Sequence, residues 1–482
     1  MERSPPSQTG ARAPRVRLAL FAVCLLSYAY FYQAGGWNQN TRLDLTRALV
    51  EQRGVRIDAY ADNTGDLAAR DGHLYCDKAP GLSWLATPVY ALMTLDGTPP
   101  DAARLNLATY AMTVVTLGVP TALAVVLLFD LLVAWGVGAG WSVSVALGWG
   151  LATLALPYST LLYGHQLAAV LLFVAYALLL RDAPATRGTA LAIGACLGIA
   201  VTVEYPALPA ALLLGALALR RGRAWLLPMI VAALPPVALL ALYHALAFGA
   251  PTTLPYDFST MPYRHMGYFM GLGLPRPATL HELTFGGYRG LFHSAPWLLL
   301  AVPGTWLWWR HGRRVEAGCA AALALLFLWL NASLVDWMGG WAFGPRYLVT
   351  ALPFLALLAG GVGFAREHAP AAARPLVLAA ALTLAWSWSA MLIGTAVKPE
   401  VPMGIARPFA EFLVPQFAAD RVAISTQGVH MKWPTKDGVR QAWNLGERLG
   451  LAGRASLVPL LLAQGALGAW LWWTLRRRVA SP

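Results

Sequence analysis

The sequence predicts an all-α polytopic membrane protein of about 12 transmembrane helices, with a large first extracytoplasmic loop bearing helices that lie beside the membrane. Three observations predict it. The 482 residues are 58% hydrophobic and only 12% charged, with 20 Trp and a mean hydropathy of +0.54, well outside the range of a water-soluble globular protein. The apolar residues collect into runs approaching the ~20 residues a helix needs to cross a bilayer. The arginines between those runs fall on alternate loops, as basic residues do on the cytoplasmic side.

The first run, Leu18 to Tyr32, follows Arg12, Arg15 and Arg17; no small-residue cleavage site comes after it, so it reads as a retained anchor. Further runs are Leu105 to Leu132, Trp141 to Pro157, Leu167 to Leu180, Trp225 to Phe248, Ser294 to Trp309, Ala317 to Leu334, Tyr347 to Phe364, Pro375 to Ile393 and Ala455 to Leu475. The stretch Thr189 to Leu219 is too long for one crossing. Arg187 precedes it and Arg220, Arg221 and Arg223 follow, so both ends lie on one side and Glu204 falls at an outward apex. Arg181, Arg310, Arg313, Arg314, Arg366, Arg374 and Arg476 to Arg478 fall on that same side, giving a multi-pass protein of the cytoplasmic (inner) membrane with cytoplasmic N- and C-termini. Residues 1–396 form the main transmembrane region with its outer loop 33–104, residues 397–454 an extracytoplasmic loop, and residues 455–482 the last helix and a basic tail. In the first outer loop, Thr41 to Glu51 reads as a helix with Thr41, Asp44 and Arg47 on one face, and Leu82 to Met93 as a second helix lying on the membrane surface.

Several function classes are excluded. The net charge of +13 is accounted for by anchoring at the ends of apolar runs, and no basic stripe or reading motif points to nucleic acid. Cys24, Cys196 and Cys319 lie in apolar runs and Cys76 in the first outer loop, with no CxxC pair for a disulfide framework or zinc site. Asp257, His265, His281, Glu282 and His293 match no tight ligand pattern, so no metal site and no cofactor is assigned; a divalent cation is left open.

Chemistry is sought where charge is densest. The stretch Trp37 to Pro80 carries Arg42, Asp44, Arg47, Asp58, Asp62, Asp66, Arg70, Asp71, Asp77 and Lys78, a mixture costly to keep beside a bilayer and suited to a phosphate-bearing substrate. Asp44, two residues from Arg42, is the candidate general base. The plainer reading of Asp44 is a surface ion pair with Arg47 worth ~0.3–0.5 kcal/mol. Lys78, oriented by Asp77, is a candidate cation for phosphate, with interfacial snorkelling as its alternative. Tyr288-Arg289 and Arg346-Tyr347 sit in glycine-rich segments before outward helix ends, where an arginine fork matches phosphate oxygens. Glu204 and His165 complete the candidates, as pocket groups or as a kink cap and an interfacial imidazole.

Thr41-Arg42 on a short helix after the first span, and Asp77-Lys78 with Pro80 on the return, resemble the GT-C glycosyltransferases, in particular the protein O-mannosyltransferase and lipid A aminoarabinose transferase branch. The motif lies within Asn38 to Gly81, and the hydropathy layout matches over most of the chain. The resemblance implies a polyprenyl-phosphate sugar donor, an outward-facing site, Lys and Arg side chains on the lipid phosphate, and a first-loop Asp as base. Where relatives carry an acidic pair before Thr-Arg, this chain has Gln39 and Asn40, so the base the resemblance implies is reassigned to Asp44, with Asp58 second, and another expected acidic position falls in Tyr163-Gly164-His165. The function expected is transfer of a sugar from that donor to a glycan, lipid or protein acceptor. The alternatives are a transporter or lipid flippase, and a membrane phosphotransferase or polysaccharide ligase.

Overall fold

The computed structural model describes residues 13–98, 100–182, 186–368, 370–425 and 440–476. Arg12 of the first anchor, Arg477 and Arg478 of the basic tail, and part of the last outer loop lie outside them. Among the described residues six helices are long and apolar enough to cross a membrane: Ala102–Ala134, Arg223–Phe248, Arg314–Ser333, Arg346–Arg366, Arg374–Val397 and Gly453–Arg476. Gly164–Leu180 and Arg187–Val203 are shorter apolar helices. The expected count of about 12 also includes elements such as α1 (Ala13–Ala29), whose 17 residues reach only ~26 Å at 1.5 Å per residue.

Lipid-facing chemistry is plain on the helix Leu226–Phe248, where Leu227, Ile230, Val231, Leu234, Leu242 and Leu246 are each more than half exposed. A continuous apolar face of that kind requires hydrocarbon around it. Its other face packs on Arg187–Val203, where Gly198 lets the two backbones close up; a Cβ there would stand 2.8 Å from the Ala233 carbonyl oxygen.

Loops that the arginine pattern assigns to one side do meet at one end of the bundle. Arg313 pairs with Asp182, and Arg221 donates to the carbonyls of Leu179 at 2.8 Å and Arg181 at 3.0 Å. Segments expected on the other side also meet one another, Ala68 bridging to Ser259. Strand β1 (Phe31–Gln33) leaves α1 and is later paired antiparallel by β4 (Ala442–Asn444), Phe31 opposite Asn444, which stitches the last outer loop onto the first. Helix α2 (Trp37–Arg47) begins four residues before the expected helix and runs into a wide turn, Ala48–Gln52, closed by Arg53 at φ 52°. Strands β2 (Leu67–Arg70) and β3 (His73–Cys76) form a hairpin whose turn residues Asp71 and Gly72 are both left-handed, φ 53° and 77°, the geometry that favours an Asp-Gly pair. Helix α3 (Gly81–Met93) buries Leu82, Ser83, Ala86 and Tyr90 and exposes Leu85 and Leu92.

The long stretch around Glu204 is broken as its flanking arginines imply. Arg187–Val203 stops at Glu204, which is extended, and Pro206 and Pro209 open the turn and helix that follow, Tyr205–Ala207 and Leu208–Ala218. Proline lacks the N–H that would continue the first helix, so the break is written in the chain. Glu204 therefore projects from a helix end beneath the first outer loop.

Candidate functional site

A cavity of about 560 Å³ opens where α2, the Glu204 break, the second outer loop and the Arg346 helix converge. Asn38, Arg42, Lys78, His165, Glu204, Arg264 and Arg346 are on its wall. The same wall also carries hydrocarbon: Val201, Val237, Leu240, Leu254, Phe327 and Leu330.

Helix geometry decides which α2 side chains take part. Asn38 and Arg42, four apart, share the cavity face. The Arg42 guanidinium is fully buried and donates to Asn38 Oδ1 at 3.2 Å, the Ala79 carbonyl at 3.1 Å and Glu204 Oε1 at 2.8 Å. Asp44 is two residues further, ~200° around the helix. Its carboxyl lies off the cavity wall, fully buried, with Oδ1 accepting from Asn63 Nδ2 at 3.0 Å and Oδ2 without a partner. Burial pushes that carboxyl well above the usual range. Asp58 is farther still from the cavity: its carboxylate accepts from the Leu74 amide at 2.7 Å and faces His73 Nδ1 at 3.0 Å on the half-exposed hairpin side.

Lys78 is brought to the cavity as expected of a cation, and its ammonium is gripped by Asp77 Oδ2 at 2.9 Å and Asp66 Oδ2 at 3.0 Å. Burial works against the ammonium, but the two carboxylates outweigh it and hold the lysine above its ordinary value. The same field splits the acids. Burial raises Asp77 despite Lys78, whereas at Asp66 Lys78 and Arg346 overcome burial and lower it.

Arg346 and Tyr347 are both on the wall. Arg346 donates to Tyr163 Oη at 3.3 Å and Tyr347 Oη at 3.4 Å, and its Nε has no partner. Arg289 and Tyr288 are not on the wall. The Arg289 guanidinium donates to the carbonyls of Met338 at 3.0 Å and Gly340 at 2.8 Å and to that of Ala342, stacked over Tyr288 at 4.2 Å. It ties down the loop that delivers Arg346.

Three participants escaped the sequence reading. Arg264 reaches the cavity from the second outer loop, 4.1 Å over the Tyr256 ring and 5.3 Å from that of Tyr263, with Nε buried and unpartnered. Nearby tyrosines and Asp77 more than offset its burial and keep the guanidinium charged. An arginine between aromatic residues in an outer loop was the available signal. Asp66 is one acid among many in its stretch and carries no distinguishing mark. Glu400, from the last outer loop, accepts from Tyr163 Oη at 2.7 Å and Gln39 Nε2 at 3.1 Å, so a carboxylate does stand beside the position where the acidic pair is replaced by Gln39.

No group of three or more His, Cys, Asp or Glu that could hold a metal occurs among the described residues. His265 Nε2 instead faces the Ser259 carbonyl at 2.7 Å, and His281 meets only Glu282, at 4.0 Å. The arrangement offers an anion several cations and offers a cation no donor cluster.

No family model and no curated relative matches the sequence. Solved structures do share its architecture. ArnT from Cupriavidus metallidurans, in a structure bound to undecaprenyl phosphate, superposes with a TM-score of 0.52 at 16% identity, covering 97% of this chain and 76% of that one. Its apo structure gives 0.51 at 15% over the same shares. The archaeal oligosaccharyltransferase AglB from Archaeoglobus fulgidus, in complex with an inhibitory peptide and a dolichol-phosphate, gives 0.45 at 11%, covering 80% of this chain and 56% of that one. The ArnT likeness shows that the chain shares the fold of those structures, and the apolar helices among its described residues are long enough to cross a membrane.

Proposed function

We propose that this chain is a glycosyltransferase that moves a sugar from a polyprenyl-phosphate donor to a hydroxyl of a glycan, lipid or protein at the outer face of the cytoplasmic membrane. The observation that carries the reading is one cavity lined both by four cationic side chains and by aliphatic and aromatic carbon. A phosphate esterified to an isoprenoid matches both.

The cations divide by what already occupies them. Arg42 is spent on Glu204 and Lys78 on Asp66 and Asp77, while Arg264 and Arg346 have no carboxylate within ion-pair distance among the described residues and each keeps an unpartnered Nε. Arg264 and Arg346 are therefore the primary phosphate ligands. Lys78 and Arg42 supply positive field behind them. Transfer is a single displacement: the acceptor oxygen bonds to the anomeric carbon as the bond from that carbon to the phosphate oxygen breaks. The leaving lipid phosphate gains charge as it departs, and fixed guanidinium groups in a dry wall stabilise that charge more than water does. Asp44 and Asp58 take no part in this transfer; they hold the loop through Asn63 and the Leu74 amide. Anchoring of Arg346 is the role of Arg289 and Tyr288.

The helix break at the cavity favours a second reading, since transporters place substrates at discontinuous helices. One experiment separates the two. The protein in nanodiscs is given a panel of undecaprenyl-phosphate-linked sugars and an outer-membrane lipid and glycan extract, and products are weighed by mass spectrometry. Transfer predicts free undecaprenyl phosphate and a sugar-bearing product, both lost in Arg264→Gln/Arg346→Gln. Movement of intact donor across vesicles, with no new bond, contradicts it.

A further inference from the structure

We propose that His165 is the general base of this transfer and that Glu204 orients it; the inference rests on the glycosyltransferase reading. Two imidazoles stand on the cavity wall. His244 has both nitrogens taken, Nε2 by Tyr205 Oη at 2.9 Å and Nδ1 by the Pro251 carbonyl at 3.3 Å. His165 does not. Its Nδ1 faces Glu204 Oε1 at 3.4 Å, and its Nε2 is buried with no partner. Buried polar atoms are satisfied in the great majority of cases, so an orphaned nitrogen on a cavity wall marks a place for a hydrogen-bonding ligand.

The surroundings fix which nitrogen is free. The Glu204 carboxylate, itself held by Arg42 at 2.8 Å, lies 3.4 Å from Nδ1 and draws the imidazole proton to that nitrogen. Nε2 is then left as the lone-pair acceptor. Gly164 makes the approach possible, because a side chain at that position would run into the Glu204 carboxylate. Tyr347 meets the imidazole edge to face, centroids 5.3 Å apart, and limits its rotation. The carboxylates offer no rival. Glu204 is committed to Arg42, Asp66 and Asp77 to Lys78, Glu400 to Tyr163 and Gln39, and Asp44, Asp58, Asp336 and Glu400 lie off the wall.

The step balances without a co-reactant. The acceptor O–H bond breaks with its proton going to Nε2, the oxygen forms a bond to the anomeric carbon, and the electron pair of the anomeric C–O bond leaves on the lipid phosphate. Glu204 stabilises the imidazolium through Nδ1–H. The proton then passes to the departed phosphate, which restores neutral imidazole.

The test uses full-length protein in nanodiscs with the undecaprenyl-phosphate-linked sugar panel, and free undecaprenyl phosphate as binding probe. His165→Gln is expected to lose at least ~100-fold in turnover, the span of general base catalysis, while binding undecaprenyl phosphate within about threefold of wild type. Glu204→Gln is expected to lower kcat with little change in KM, and Glu204→Asp to restore part of it, which a purely structural role would not do. Diethylpyrocarbonate with peptide mass mapping is expected to modify His165 at Nε2, less so with undecaprenyl phosphate bound, and to leave His244 untouched; this readout needs no folded variant. Turnover of His165→Gln within threefold of wild type, or an unreactive His165, overturns the base assignment alone. A wild type that binds undecaprenyl phosphate yet frees none from any donor overturns the transfer reading and the base with it.

Discussion

The inner and outer halves of the first outer loop draw on the same residue types and meet opposite fates. On the inner side, Arg42 pairs with Glu204, and Lys78 with Asp66 and Asp77, at side-chain exposures of 11% or less. On the outer side, Asp58 pairs with His73, and Arg70 with Asp71, at exposures from 27% to 77%. Charge density singles out the loop but does not distinguish its halves. Burial does, and it turns an ion pair from a solvated surface contact into a fixed field that a substrate anion can feel.

Breaking the inner set is expected to have the largest effect. Arg42→Met strands the Glu204 carboxylate without its counter-charge and is expected to cost about 3–5 kcal/mol, read from denaturant unfolding in detergent micelles. Arg289→Met is expected to destabilise as well, because three carbonyls of the 338–342 loop lose their donor, and to weaken lipid phosphate only through Arg346. Next come the two arginines proposed as phosphate ligands. Arg264→Gln and Arg346→Gln are each expected to weaken undecaprenyl phosphate by ~10-fold or more, one charged hydrogen bond's worth of about 1.5–3 kcal/mol, with unfolding near wild type. A stability loss larger than the affinity loss would make those arginines structural.

Acid and base titration sharpen the same contrast. Asp44 has a folded pKa raised above its ordinary 3.8, so the folded chain holds the proton more tightly and stability falls as pH rises from 3.8 through the raised value. Asp66 is lowered, so its contribution is in place above 3.8 and is lost as pH falls toward the depressed value. Unfolding midpoints across pH are expected to lose the first slope in Asp44→Asn and the second in Asp66→Asn. An unchanged profile for Asp44→Asn would mean the carboxyl is solvated. The smallest effect is expected from Asp58→Asn and Asp71→Asn, within about 1 kcal/mol in stability and without change in lipid binding.

How much of this was legible in the sequence follows the range of the interactions. The spans, the break at Glu204 and the Asp71-Gly72 turn are local, written in apolar runs, prolines and the left-handed preference of Asp-Gly. Helix α2 was legible too, and with it the separation of Asp44 from Arg42: the i, i+3 spacing that groups Thr41, Asp44 and Arg47 turns Arg42 the other way. Two residues close in sequence stand on opposite faces because each step along the helix turns about 100°. Arg289 illustrates a different limit, since a buried guanidinium satisfied by backbone carbonyls has the same sequence as one awaiting phosphate. Arg264 and Glu400 come from loops more than two hundred residues beyond α2. Glu400 belongs to the loop anchored by β1 and β4, a long-range register that no local pattern announces.

The central claim is that one cavity receives an isoprenoid phosphate, head against Arg264 and Arg346 and tail along Val201, Leu240 and Leu330. Cryo-electron microscopy of the protein in nanodiscs with undecaprenyl phosphate tests it most directly. The account predicts phosphate density within ~3 Å of both guanidinium groups and continuous chain density along that apolar wall. Lipid density elsewhere on the protein, with the cavity empty at saturating undecaprenyl phosphate, would contradict it.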